Sequence, residues 1–386
     1  MRNKKSILII VRDDASSTMT WSGIPFHIIR ILKDYGHNVS VLDNLGFPKS
    51  IHWRFKRIAG RFFSGFSPKY YSEISSKYFG RKINKYLKKT NKNFDFILAI
   101  DFLEGVLNIK TKVPVLVYRD ASYALLNKLG YPGFDKFNKE SLEVLLELER
   151  KCLERVDKML FTSKWAIEET QSFYPMIEKK KYFVQPFSSQ LYPPPSKDDW
   201  RVRYIGDGDI VNFLFVGRDW KRKGGDDALE ILRSLAGMGF RVHLTVVGHR
   251  LNTEKLDFPC EVIENLDVSD QSDLHILKGL YLNSHFFILP TEVEAFGIVF
   301  SEAMSLGLPV ITTKVCAIPE ILVDGREGIL IDNKSGLDVV VQKIIQLLKD
   351  KDEYKQMQIN ASNRFVERFH PNLWVDRLID IYEEKL

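Results

Sequence analysis

The sequence predicts an α/β protein built from two parallel-sheet domains, and three observations predict it. The chain has 386 residues, too many for one ordinary hydrophobic core, and 45% of them are hydrophobic. Short apolar runs suited to strands alternate with stretches of helical spacing, the pattern of a parallel sheet covered by helices. That alternation occurs twice, interrupted by Tyr192-Pro193-Pro194-Pro195-Ser196, which can continue neither a helix nor a central strand.

In the first series, strands are expected at residues 6–11, 38–42, 94–100, 113–118 and 158–162, with helices at 24–35 and 140–155 among those between them. The second series places strands at 211–216, 242–247, 286–289, 310–312 and 328–331. Helical segments follow from Leu337, and residues 373–386 have the apolar spacing of a docked terminal helix. The expected division is therefore 1–190 as the first domain, 191–210 as linker, 211–370 as the second domain and 371–386 as the terminal helix.

Composition narrows the function. The apolar run at 7–11 is short and meets Arg12-Asp13-Asp14 at once, so a signal peptide is not expected, and no apolar stretch nears the roughly 18 residues that span a bilayer. Cys152, Cys260 and Cys316 lie far apart without metal-ligand spacing and read as reduced thiols of a cytoplasmic protein. The net charge of +6 is unevenly spread: residues 1–190 carry 33 Lys+Arg against 19 Asp+Glu, and the remainder 23 against 31. Much of the excess lies in residues 49–92, with 13 basic residues, the single acid Glu73 and ten interleaved aromatics. Such a stretch suits peripheral attachment to an anionic membrane face; its plainer reading is a solvated helix pair whose aromatics join the first core. No recognised module accompanies the charge to suggest nucleic acid.

The most informative stretch is TEVEAFGIVFSEAMSLGLPV, where Glu294 and Glu302 are separated by seven residues that include Phe296-Gly297. A short apolar strand bounded by Pro290 precedes it, and from Ile298 to Leu306 apolar residues crowd all but a stripe of Ser301, Glu302 and Ser305. Strand, loop and helix in that order put the loop at a carboxyl edge, where open α/β sheets bind ligands. Either acid alone could be a helix-start charge or a solvated residue. Few apolar residues remain to cover Glu302, however, and a mostly buried carboxylate needs partners, of which ligand hydroxyls are one natural set.

A second loop follows the strand ending at Val216, in NFLFVGRDWKRKGGDDALEIL, and carries Arg218, Lys221, Arg222, Lys223 and Gly224-Gly225 before a helix near Asp226. An anion there would meet cations together with free backbone N–H groups; a solvated basic loop is the alternative. Both loops leave strand ends in one domain, so cations for phosphate and carboxylates for hydroxyls can converge, which suits a nucleotide sugar. In the first domain, RDDASSTMTWSGIPFHIIRIL lacks the GxGxxG fingerprint, while Gly23 permits close backbone approach and Pro25 suits a first helical turn. Asp120, after the strand ending at Tyr118, can position a hydroxyl or cap a helix. Asp207-Gly208-Asp209 has a metal-chelating form, but its turn-rich setting argues against a metal.

With these motifs the chain resembles the retaining glycosyltransferases of family 4, which have the GT-B fold. VGRDWKRKGG, EAFGIVFSE, SLGLPVI and PEIL carry the resemblance most specifically, with weaker support from WSGIPFHIIRILKDYGHNVSVL and TSKWAIEE. The resemblance implies two Rossmann-like domains facing each other across a cleft, the first on the acceptor side and the second binding the donor, with the C-terminal helices packing back toward the first. It implies that Arg218 and Lys223 bind the donor diphosphate in place of a metal ion, so that neither metal nor cofactor is needed. Glu294 would bind hydroxyls of the transferred sugar, Phe296 and Gly297 would present N–H groups, and Glu302 would bind the ribose. Gly217, Ile298 and, from the first domain, Gly23 would complete the donor site, with Asp120 acting beside them. A UDP- or GDP-sugar would be the donor, and a glycan, lipid-linked or protein group the acceptor. Arg119-Asp120 departs from the common His-Asp of the family. A non-catalytic nucleotide-sugar sensor and a GT-B-type epimerase or phosphorylase are the alternatives.

Overall fold

The computed structural model describes residues 3–46, 73–196, 199–332 and 336–384. The chain divides into two compact units, Met1–Gln185 with Val375–Leu386, and Pro186–Trp374. Each is built on a parallel six-stranded sheet.

Unit 1 contains β1 (Ser6–Ile10), α1 (Ile24–Asp34), β2 (Asn38–Leu42), α2 (Glu73–Lys89), β3 (Phe96–Ile100), α3 (Leu103–Val106), β4 (Val115–Arg119), α4 (Tyr123–Lys128), α5 (Lys139–Arg155), β5 (Lys158–Phe161), α6 (Lys164–Phe173) and β6 (Tyr182–Val184). Its strand order is β2-β1-β3-β4-β5-β6. The central strands are continuous apolar runs because helices cover both faces of a parallel sheet: residues 7–10, 96–100 and 115–118 are buried throughout. The chain's last segment belongs to this unit. Tyr382 stacks on Phe96 with ring centroids 4.7 Å apart, Lys5 pairs with Glu383 at 2.6 Å, and the buried Lys158 ammonium donates to the carbonyls of Ile381 and Glu384, capping the end of the terminal helix.

Unit 2 contains β7 (Ile210–Val216), α7 (Gly225–Gly237), β8 (Arg241–Val247), β9 (Cys260–Ile263), α8 (Gln271–Asn283), β10 (Phe286–Leu289), α9 (Ile298–Ser305), β11 (Val310–Thr313), α10 (Ile318–Ile321), β12 (Gly328–Ile331), α11 (Gly336–Lys349) and α12 (Lys351–Arg368), and α13 (Pro371–Glu383) leads from it into unit 1. Its order, β12-β11-β10-β7-β8-β9, reverses between β10 and β7. That makes β7 and β10 neighbours, with Phe213 beside Phe286 and Leu214 beside Phe287. A reversal of this kind marks the place, at the carboxyl ends of the strands, where doubly wound sheets bind ligands.

Arg203 ties the start of unit 2 to two helix ends. Its buried guanidinium donates to the carbonyls of Tyr281 and Leu282 at the end of α8 and to Leu306 and Gly307 after α9, at 2.7–3.2 Å. Those are carbonyls with no partner inside their own helices. The division at residues 185 and 186 therefore leaves the proline-rich stretch with unit 2, where the Pro193 carbonyl accepts from Lys278 at 3.1 Å.

Candidate active site

The loops after β7 and β10 interlock. Gly224, at φ +70°, stands so close to β10 that a Cβ there would lie 1.8 Å from the Pro290 carbonyl oxygen, so only glycine fits both the backbone and the space. Gly225 is pressed likewise by Trp220, whose nearest ring atom would be 2.1 Å from a Cβ. Across the junction, the Arg222 carbonyl accepts from the Glu292 N–H at 2.9 Å and the Thr291 hydroxyl at 3.0 Å.

The expectation of free N–H groups in the cationic loop is corrected for residues 222–225. The Lys223, Gly224 and Gly225 amides donate to the carbonyls of Asp219, Lys221 and Trp220 at 2.9–3.0 Å, and the Arg222 amide reaches the Asp219 carboxylate at 3.3 Å. A turn this tight can be stable only if its amides are satisfied internally. What the loop offers a ligand is side-chain charge and the amides of residues 218–221, which donate to no described residue. Arg218 is exposed and makes no ion pair or hydrogen bond with a described residue, whereas Lys223 pairs with Glu294. Gly217 sits beneath, its amide bonded to Val247 at 2.9 Å and the Lys223 stem 3.2 Å from where its Cβ would be.

Glu294 is buried, 7% exposed, and has two cations beside it, Lys223 and, at 3.7 Å, Arg222. The chain then turns at Gly297, φ +84°, where a Cβ would meet the Phe300 ring at 2.4 Å, and α9 begins at Ile298. No side chain caps this helix. The N–H groups of Phe296, Gly297 and Ile298 donate to no described residue, so unspent donors gather at this helix start. Phe296 contributes only backbone to that group, because its ring is buried against Phe187 and Phe369.

The polar stripe of α9 turns inward. Ser301 and Ser305 are buried and spend their hydroxyls on the Ile298 and Glu302 carbonyls of their own helix. Glu302, 4% exposed, accepts from the Tyr281 phenol at 2.9 Å and from the Gln190 N–H. Its pKa is pushed up to about 7, chiefly because burial penalises the charged form, while the two hydrogen bonds pull the other way. The protein itself thus supplies partners for this carboxylate.

Gly23 and Asp120 lie in unit 1 at the carboxyl ends of β1 and β4. Gly23 caps α1 at φ +78° and follows Trp21 and Ser22, themselves left-handed at +42° and +54°. Three such residues in succession, two of them bearing a Cβ, place strain in a loop at the sheet's own point of reversal between β1 and β3. Arg119, beside Asp120, is buried: it pairs with Asp101 and Glu149 at 3.1 Å each and lies 3.9 Å from the Tyr123 ring centroid. Arg119 is therefore a core ion, and Asp120 is the partly exposed member of the pair. In the Asp207-Gly208-Asp209 turn, Asp209 accepts from the Gly206 amide at 2.7 Å, the bond of an ordinary tight turn.

Residues 197–364 match the sequence model of the family described as glycosyl transferases group 1. The capsular polysaccharide biosynthesis glycosyltransferase CapM of Staphylococcus aureus is 27% identical over 179 residues, covering 44% of this chain and 46% of that protein. The lipopolysaccharide glucosyltransferase WaaG of Escherichia coli is 31% identical over 173 residues, 40% and 45% of the respective chains. These matches thus span about half the length of each relative. Among solved structures, the lipopolysaccharide outer core galactosyltransferase WaaB superposes with a TM-score of 0.66 at 15% identity, over 99% of this chain and 100% of that one. WaaG superposes at 0.61 and 17% identity, over 98% and 100%. At such identities the superpositions speak for the fold. The chain carries a glycosyl transferases group 1 domain over residues 197–364, within a GT-B fold of two Rossmann-like domains.

Proposed function

We propose that this protein is a metal-independent, retaining hexosyltransferase of family 4, moving a sugar from a UDP- or GDP-sugar to a glycan, lipid-linked or protein acceptor in the synthesis of cell-surface polysaccharide or glycoconjugate. The observation that carries this reading is the interlock of a cationic loop with the Glu294 loop, where the order of the unit 2 sheet reverses. Diphosphate and sugar hydroxyls are adjacent parts of one donor, and the two loops offer adjacent partners for them.

Arg218 and Lys223 take the diphosphate, together with the unspent N–H groups at the start of α9. A solved relative in complex with UDP and another bound to ADP share the fold, which agrees with a nucleotide at this site. Glu294 accepts from hydroxyls of the transferred sugar, and Glu302 from the ribose, with Tyr281 retaining its hydrogen bond to the buried carboxylate. In the reaction the bond between the anomeric carbon and the diphosphate oxygen breaks, and its electron pair leaves with the diphosphate. The acceptor oxygen attacks the same face, and its proton passes to the departing phosphate oxygen. Cations stabilise the charge that develops on that oxygen.

The described part of the basic stretch is consistent with work at a cytoplasmic membrane surface. Lys77, Arg81, Lys85 and Lys88 recur at helical spacing along α2, and all are exposed. Residues 49–72 lie outside the described residues, and no described helix is long and apolar enough to cross a membrane.

Glu294→Ala tests the central assignment. Sugar transfer should fall by at least about 10²–10³-fold, with UDP or GDP affinity nearly unchanged. Full turnover by this variant would remove the reading.

A further inference from the structure

Arg222 is one cation among four in its loop by sequence, yet its side chain is only 19% exposed and is committed on several sides. Its Nε donates to the Asp219 carboxylate at 3.1 Å, and one terminal nitrogen donates to the Val293 carbonyl at 3.0 Å while lying 3.7 Å from the Glu294 carboxylate. Its own carbonyl holds Glu292 and Thr291, and the Thr291 hydroxyl reaches on to Val293 at 3.2 Å. One residue therefore grips all of residues 291–294 with main chain and side chain together.

We propose that Arg222 is a positioning residue for Glu294: it fixes the segment from which Glu294 projects and stays beside that carboxylate when Lys223 turns to the donor diphosphate. The inference rests on the reading of Glu294 and Lys223 given above. Its physical basis is the difference between the two cations. Lys223 carries a compact ammonium on a flexible four-carbon stem, able to exchange one anionic partner for another. Arg222 presents a planar fork whose bonds to Asp219 and Val293 would have to break before it could swing away. Glu294 thus has one mobile counter-charge and one fixed one. Without the fixed one, transfer of Lys223 to the phosphate would leave a buried carboxylate with no cation beside it, a costly arrangement in a site from which water is largely excluded.

The test compares Arg222→Gln and Arg222→Lys with Arg218→Ala. Affinities for UDP, GDP, UDP-glucose, UDP-galactose, UDP-N-acetylglucosamine and GDP-mannose are measured by calorimetry, and turnover with whichever sugar nucleotide the wild type consumes. Arg222→Gln is expected to keep nucleoside diphosphate affinity within about twofold. It should lose about tenfold in the extra affinity a sugar nucleotide has over its diphosphate, and at least about thirtyfold in kcat. Arg222→Lys, with the charge but not the fork, should recover only a minor part of that loss. A drop in diphosphate affinity like that of Arg218→Ala would make Arg222 a phosphate ligand and overturn the proposal. So would unchanged kcat, or a parallel loss of both affinities together with a lower melting temperature. A wild type that binds and consumes none of the sugar nucleotides would overturn the functional reading beneath it, whereas an active wild type with an equally active Arg222→Gln overturns the positioning role alone.

Discussion

Gly224→Ala strikes the junction on which the site depends. Two costs follow from the geometry. At φ +70° a residue with a Cβ pays about 1–2 kcal/mol for a left-handed backbone. The new methyl would also lie 1.8 Å from the Pro290 carbonyl oxygen and 2.6 Å from its carbon, contacts with backbone that side-chain rotation cannot relieve. Overpacking of that sort typically costs about 1–3 kcal/mol. Together they come to about 2–5 kcal/mol, which for a domain of roughly 150–250 residues lowers the melting temperature by about 4–20 °C. Gly237→Ala is the internal comparison, since that glycine ends α7 with nothing within 4 Å of its Cβ position and should tolerate or welcome alanine. Scanning calorimetry of both variants reads the difference. Because Pro290 leads into the Glu294 loop, sugar transfer by Gly224→Ala should fall further than the folded fraction does. Stability within about 0.5 kcal/mol of wild type would refute the claim that the two loops are locked at this point.

Two other expectations follow. The pKa of Glu302 is raised in the fold to about 7 against an ordinary value of 4.5, so the folded state holds its proton more tightly; the associated stability is full below the ordinary value and is lost as pH rises toward about 7, on the order of 3 kcal/mol in all. Urea titrations between pH 5 and 8 should show that decline for the wild type and a flatter profile for Glu302→Gln, and an unaltered profile in the variant would dismiss Glu302 as its source. Vesicles containing anionic lipid should sediment the protein at low salt, and glutamate at Lys77, Arg81 and Lys85 should weaken that binding by several kcal/mol at about 1 kcal/mol per charge; equal binding to neutral vesicles would exclude the electrostatic account.

The two alternating series of elements were legible because buried parallel strands are near-continuous apolar runs. The strands that escaped notice are β6 and β9, which lie at sheet edges. The first has three residues directly after Lys179, Lys180 and Lys181, and the second places Glu261 between Cys260 and Val262, so neither carries the apolar density of a central strand. Glu294 and its loop could be read from strand, turn and helix signals within twenty residues. The grip of Arg222 could not, because in Lys221-Arg222-Lys223 three neighbouring cations look alike, and only the adjacency of β7 and β10 distinguishes them. Periodicity marked Ser301, Glu302 and Ser305 as a polar stripe without showing that it is buried. A hydroxyl satisfied by its own helix and one facing water have the same spacing, and the Tyr281 and Gln190 partners of Glu302 come from elsewhere in the chain.

Unit 1 is closed by the last residues of the chain. Between Gln185 and Val375 the whole of unit 2 intervenes, so on a ribosome the first sheet emerges long before the helix that stacks Tyr382 on Phe96 and accepts the Lys158 ammonium. Until then Phe96 lacks part of its cover, and a buried ammonium lacks its carbonyls. Completion of unit 1 thus waits until unit 2 has been made. Unit 2, contiguous in sequence, can finish first, although it is made second.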